Sequence, residues 1–194
     1  MSELPALRPP DEEQPDEEQP DEEQAEEQQE HAPGGFEVPS GYKVLTGSKG
    51  GSGKAVGVVV AKFNGEVTSR LLQRALDELE EAGVERESVT IVPVPGAFEL
   101  PVAAIALAKT RKYACIVALG CVIRGETPHF DYVAGEAASG LQLAAIETGV
   151  PVSFGVLTTE SLEQAEARID RAADAVRGAL EMAGLFQHLR AAAR

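Results

Sequence analysis

The sequence predicts an α/β protein, a three-layer α/β/α sandwich around a four-stranded parallel sheet. Three observations carry that expectation. Four short runs, Ala55–Ala61 (AVGVVVA), Val89–Val94 (VTIVPV), Tyr113–Ile123 (YACIVALGCVI) and Pro151–Leu157 (PVSFGVL), contain no charge, as strands covered on both faces do. Longer segments with apolar residues at helical spacing follow each of them. Turn signals at Gly83, Pro95-Gly96, Gly125 and Gly149 stand where one pattern gives way to the next.

The elements follow in order. Residues Asp11 to Gln24 repeat DEEQP, DEEQP and DEEQ without an apolar anchor, so residues 1–40 are expected to form an acidic, low-complexity, disordered tail ahead of a domain at 41–194. Gly41–Thr46 (GYKVLT) alternates like a strand, and the Gly/Ser-rich 47–54 stretch reads as a flexible linker. That linker is not a phosphate loop, because Ser48 and Ala55 stand where the pattern needs a glycine and a hydroxyl. After the first buried strand, Val67, Leu71, Leu72, Ala75, Leu76 and Leu79 mark one face of a helix ending near Gly83. A helix with Val102, Ile105, Ala106 and Ala108 follows the second strand, and one from Pro128 to about Thr148 follows the third. Ser161–Ala183 reads as one closing helix, with Ala165, Ile169, Ala172, Val176 and Leu180 on its apolar face.

Composition excludes several classes of function. The chain of 194 residues carries a formal charge of -15, of which 13 acidic residues against one arginine lie within the first 33 positions. The remainder holds 19 acidic and 16 basic residues and offers no basic stripe for nucleic acid. No apolar run reaches the roughly 18 residues of a membrane span, and no signal or transit segment is evident, so a soluble, cytoplasmic protein is expected. Cys115 and Cys121 lack CxxC spacing and read as small core hydrophobes.

The chemistry is expected at the carboxyl ends of the strands, where ligands bind in such sheets. Phe63 and Asn64 follow the first strand, Ala97, Phe98 and Glu99 the second, Arg124 to His129 the third, and Thr158 and Thr159 the fourth. The two aromatics suggest a flat ring held by stacking, with Glu99 accepting hydrogen bonds. In the third group Thr127 reads as an N-cap and Pro128 as the first helical residue, so the helix start offers unpaired N–H groups to an anion, phosphate above all. His129, in the first turn, is placed to exchange protons with a bound substrate.

Four blocks, AKFN (Ala61–Asn64), VPGAFELP (Val94–Pro101), ALGCVIRGETPHFDYV (Ala118–Val133) and FGVLTTESLEQAEAR (Phe154–Arg168), resemble the signature segments of the lumazine synthase family. The likeness runs from about Gly41 to the C-terminus. It implies a flavodoxin-like fold and a cofactor-free condensation of 5-amino-6-(D-ribitylamino)uracil with 3,4-dihydroxy-2-butanone 4-phosphate, in riboflavin biosynthesis. By that resemblance Phe63 stacks on the pyrimidine, while Ala97, Phe98, Glu99, Cys121, Val122 and Ile123 hold the ring and ribityl chain. Glu126, Thr127 and Arg168 lie at the phosphate, His129 is the proton donor, and Phe154 reaches the pocket from a neighbouring subunit. The resemblance also implies a homopentamer, which in some members builds an icosahedral shell, and an N-terminal strand that pairs with a neighbour.

One departure stands out. The family's Gly- and Lys-containing segment after the arginine is missing here, and Ile169–Ala173 (IDRAA) continues the apolar helical pattern, with Arg171 as a substitute charge. The resemblance therefore leaves two rivals. One is an archaeal-type riboflavin synthase, against which the intact GETPHFDY block speaks; the other is a shell or scaffold protein without catalysis, whose acidic tail modulates cargo or assembly.

Overall fold

A computed structural model describes residues 36–193; the acidic repeat lies outside the described residues. The sheet holds four parallel strands, β1 (Val56–Ala61), β2 (Val89–Val94), β3 (Cys115–Ile123) and β4 (Val152–Thr159), in the order β2-β1-β3-β4. Around it pack the helices α1 (Gly65–Glu81), α2 (Leu100–Lys109), α3 (His129–Thr148), α4 (Leu162–Glu166) and α5 (Arg171–Ala192). The expected α/β sandwich is present.

The strand sequences explain their places. β1 and β3 are central, and Val56, Val58, Val59, Ile116, Val117, Ala118 and Leu119 have no accessible surface, which is why both runs lack any polar alternation. β2 is an edge strand, where Pro93 is tolerated because one side of its backbone has no ladder to make. Alternate side chains of β1 and β3 enter two cores. One, with Val58 and Val117, faces α1 and α5; the other, with Val59 and Ala118, faces α2 and α3. Leu71, Leu100, Leu141 and Leu180 anchor the four long helices, and truncating any of them to alanine is expected to cost about 2–5 kcal/mol.

Two glycines shape α3. Gly140 lets α3 settle on α2, since a Cβ there would stand 2.7 Å from Pro101 Cβ. Gly149 ends α3 in the left-handed region with φ 63°, as its position in the sequence predicts. On the other face Arg74 and Arg177 both reach Glu78 Oε2 at 2.9 Å, tying α1 to α5.

Two expectations need correction. Gly41–Thr46 is not one of them: it pairs with no strand among the described residues, and its expected ladder partner is a neighbouring copy. Val44 and Leu45 are exposed. The closing helix is two helices: Arg168, Arg171, Ala172 and Ala173 donate their N–H groups three residues back, a tighter turn that separates α4 from α5 while leaving the apolar spacing readable as continuous. Arg74 Nε fastens that turn through Asp170 at 3.0 Å. The second correction concerns α3, whose N-cap is Pro128 and not Thr127, and no side chain caps it. The 47–54 segment is held in place, the Gly51 N–H donating to the Ala82 carbonyl at 2.7 Å.

Candidate active site

The strand order reverses between β1 and β3, and a crevice opens there at the carboxyl ends. Asn64 spans it. The residue lies just past β1 in the left-handed region, φ 54°, and its side-chain Nδ2 donates to the Cys121 carbonyl of β3 at 2.9 Å. Asparagine is among the few side chains that enter this region readily. The loop is laced to the other side as well, since Lys62 and Phe63 donate their N–H groups to the carbonyls of Val94 and Pro95 at 2.8 and 3.1 Å. Phe63, held so by its backbone, presents a ring that is 71% exposed.

After β2 the chain makes a 3-10 turn, Ala97–Glu99, closed by Glu99 Oε2 accepting from the Gly96 N–H at 2.9 Å. Glu99 thereby keeps one carboxylate oxygen on the backbone, and the other makes no hydrogen bond among the described residues. Phe98 points outward, 56% exposed. Between these loops and the start of α3 lies an open cleft of about 680 Å³. Phe63, Phe98 and Glu99 form one wall, Cys121, Val122 and Ile123 the floor, and Thr127 and His129 the far rim. Ala97 also lines it. Because Thr127 does not cap α3, its hydroxyl stays available beside uncapped N–H groups of the helix start. His129 stands exposed at the first position of that helix.

The family model described as 6,7-dimethyl-8-ribityllumazine synthase matches residues 53–187. A 6,7-dimethyl-8-ribityllumazine synthase from Desulfatibacillum aliphaticivorans is 42% identical over 153 residues, 76% of this chain and 99% of the relative. The chain belongs to the 6,7-dimethyl-8-ribityllumazine synthase family. Every residue that lines the cleft falls within the span matched by the lumazine synthase family model.

Three of the residues expected at a lumazine synthase site stand elsewhere in the single chain. Glu126 lies in the exposed turn but not on the cleft wall. Phe154 is on edge strand β4, 46% exposed, lining a separate hollow with Leu141, Ile146 and Val152 beside α3. Arg168 sits in the α4–α5 turn, its Nη1 donating to the Gln164 carbonyl at 2.9 Å. Arg171, the candidate substitute charge, is paired with Asp174 at 3.1 Å.

The cleft also contains residues that reading the sequence did not assign to it. Phe130, Tyr132 and Val133 line it from the first turns of α3. Tyr132 and Val133 lie three and four positions after His129, so the helical period would have placed them on the same face. The Asn64 amide had no such signal, since its partner lies 57 residues away. Burial pushes the Cys121 thiol up to about 11, so the floor of the cleft is neutral and the thiol is no nucleophile near neutral pH. Among the described residues no helix is long and apolar enough to cross a membrane.

Proposed function

We propose that this cleft condenses 5-amino-6-(D-ribitylamino)uracil with 3,4-dihydroxy-2-butanone 4-phosphate to 6,7-dimethyl-8-ribityllumazine, releasing inorganic phosphate and two waters, in riboflavin biosynthesis. The observation that carries the proposal is the convergence of three loops on the crevice between β1 and β3. The pyrimidine stacks on Phe63, and its ribityl chain runs along the Ala97–Glu99 and Cys121–Ile123 backbones, with the Glu99 carboxylate accepting from hydroxyls. The phosphate sits at the start of α3 against Thr127, where N–H groups and the helix dipole favour an anion.

The amine of the pyrimidine adds to the substrate ketone, and loss of water gives an imine. Proton transfer then expels phosphate, and the ribityl-bearing nitrogen closes the second ring with loss of the second water. His129, which lines the cleft beside Thr127, moves the protons in these steps. Glu126 and Arg168, which do not line the cleft of the single chain, join the phosphate site by family resemblance, the guanidinium leaving the Gln164 carbonyl for phosphate oxygens.

The Phe154 side chain serves a site on a neighbouring copy. It shares the α3 face of the sheet with Val152 and Val156 yet stays half exposed at the open edge of β4, which supports assembly into a closed homo-oligomer, a pentamer by family resemblance. The Gly41–Thr46 segment then finds its missing ladder partner on a neighbour. The test is single-turnover mixing of the full chain with both substrates, followed by lumazine absorbance and fluorescence. Product formation no faster than the uncatalysed reaction would overturn the proposal.

A further inference from the structure

Arg124 is the first residue after β3, ahead of the polar turn, a place where a lone guanidinium would serve as a cation for phosphate. Its surroundings say otherwise. Nη1 meets Asp131 Oδ1 at 3.1 Å, Nε meets Glu160 Oε2 at 2.9 Å, the guanidinium lies 4.1 Å from the centre of the Phe130 ring, and the backbone N–H donates to the Thr159 carbonyl at 2.9 Å. One guanidinium between two carboxylates leaves a local charge of one negative, not a surplus cation.

Asp131 explains the arrangement. It is the acidic residue of the first turn of α3, at the third helical position. From there a carboxylate ordinarily reaches back to the N-cap N–H, but the N-cap here is Pro128, which has none. A free carboxylate at this place is drawn to the same N–H groups and positive dipole end that attract phosphate.

We infer that Arg124 is a positioning residue that holds the Asp131 carboxylate away from the start of α3, keeping that anion site open, and that it is not itself a phosphate ligand. The inference rests on the phosphate placement proposed above. Glu160 and the Phe130 ring fix Arg124 so that its pull on Asp131 has a set direction. The guanidinium is held above its ordinary pKa, chiefly by the Glu160 hydrogen bond and further by Asp131, against an opposing desolvation. All three groups are well exposed, so their pairing contributes little to folding, and its effect is read in substrate affinity.

The test is a double-mutant cycle in the full chain, with steady-state constants for both substrates and melting temperature. Arg124→Ala is expected to raise KM for the phosphorylated substrate by about 2- to 5-fold, the size of one freed charge at an exposed helix start, with KM for the pyrimidine and the melting temperature nearly unchanged. Adding Asp131→Asn should bring that KM back to the Asp131→Asn value within the error of the measurement. A double variant as weak as Arg124→Ala, or no effect of Arg124→Ala, overturns the inference. If the alanine variant is unstable, Arg124→Gln takes its place with the same expectations. Inorganic phosphate is titrated against the wild-type chain in parallel. Failure to compete with the phosphorylated substrate overturns the phosphate placement itself, whatever Arg124 does.

Discussion

The Asn64 amide donates to the Cys121 carbonyl at 2.9 Å, and this single bond joins the ends of β1 and β3 where the sheet opens. It holds the Phe63 loop on one side of the crevice and the Cys121–Ile123 floor on the other at a fixed separation. Asn64 also begins α1 with φ 54° and so spends its side chain across the crevice instead of on a helix cap.

Two substitutions separate these roles. Asn64→Gly keeps the backbone conformation and loses the bond, so it is expected to cost about 1 kcal/mol of stability. Asn64→Ala loses the bond and adds left-handed strain, for about 2–3 kcal/mol together. Both should raise KM for the pyrimidine alike, because the span of the crevice depends on the bond and not on the strain. Urea unfolding and steady-state kinetics of both variants check this, and a KM that follows stability across the pair would contradict it.

Arg168 is expected to contribute phosphate affinity, since a guanidinium can meet two phosphate oxygens at once. Arg168→Lys should raise the apparent constant for the phosphorylated substrate about tenfold and that for the pyrimidine far less. Equal movement of both constants would mean the residue is misassigned. Arg171→Ala should change neither, because that side chain is already paired with Asp174.

The two buried thiols set a limit on alkaline stability. Burial pushes Cys115 up to about 12 and Cys121 up to about 11, from an ordinary 9.0. Unfolding releases both to their ordinary value, so above pH 9 the unfolded chain holds fewer protons than the native one. Their contribution is whole below pH 9 and is lost as pH rises, levelling off only beyond 11 to 12, at up to roughly 1.4 kcal/mol per unit of separation for each thiol. Denaturant unfolding at pH 8, 9 and 10 should show stability falling across the series, and a Cys115→Ala, Cys121→Ala double variant should lose a smaller share. An unchanged slope in the double variant would assign the fall to other groups.

The layers of the fold were legible because uncharged runs and helical spacing report burial, and burial here is nearly complete in β1 and β3. The start of α3 beside the cleft was legible for a local reason, a proline next to a polar turn. What spacing could not show were bonds across long separations. The α4–α5 break keeps apolar residues at 165, 169, 172 and 176, a period that a tight turn also satisfies, and what fastens it, Arg74 to Asp170, is 96 residues apart. The ladder partner of Gly41–Thr46 is likewise not legible, and none stands among the described residues. The alternation of the segment is genuine, but a pattern of side chains says nothing of where the ladder partner is.

The last prediction tests whether the site is shared between copies. His129 opens α3 at the cleft and is exposed, so His129→Ala should leave the melting temperature almost unchanged while lowering turnover by about 10- to 10,000-fold. Phe154 lies on β4, beside a hollow distinct from the cleft of its own chain, so Phe154→Ala should lower affinity for the pyrimidine only if the ring serves another copy's site. The two variants can then repair one another. If they are unfolded together, mixed in equal amounts and refolded, random assembly in a closed ring gives about one quarter of the sites an intact His129 from one chain and an intact Phe154 from the next. Turnover at low pyrimidine concentration should therefore rise above the mean of the two parents towards about a quarter of the wild-type value. Mixing without refolding should give only that mean. An unchanged mean after refolding, with subunit exchange verified by a tagged chain, would place Phe154 outside the site and leave the β4 edge with a purely structural part in assembly.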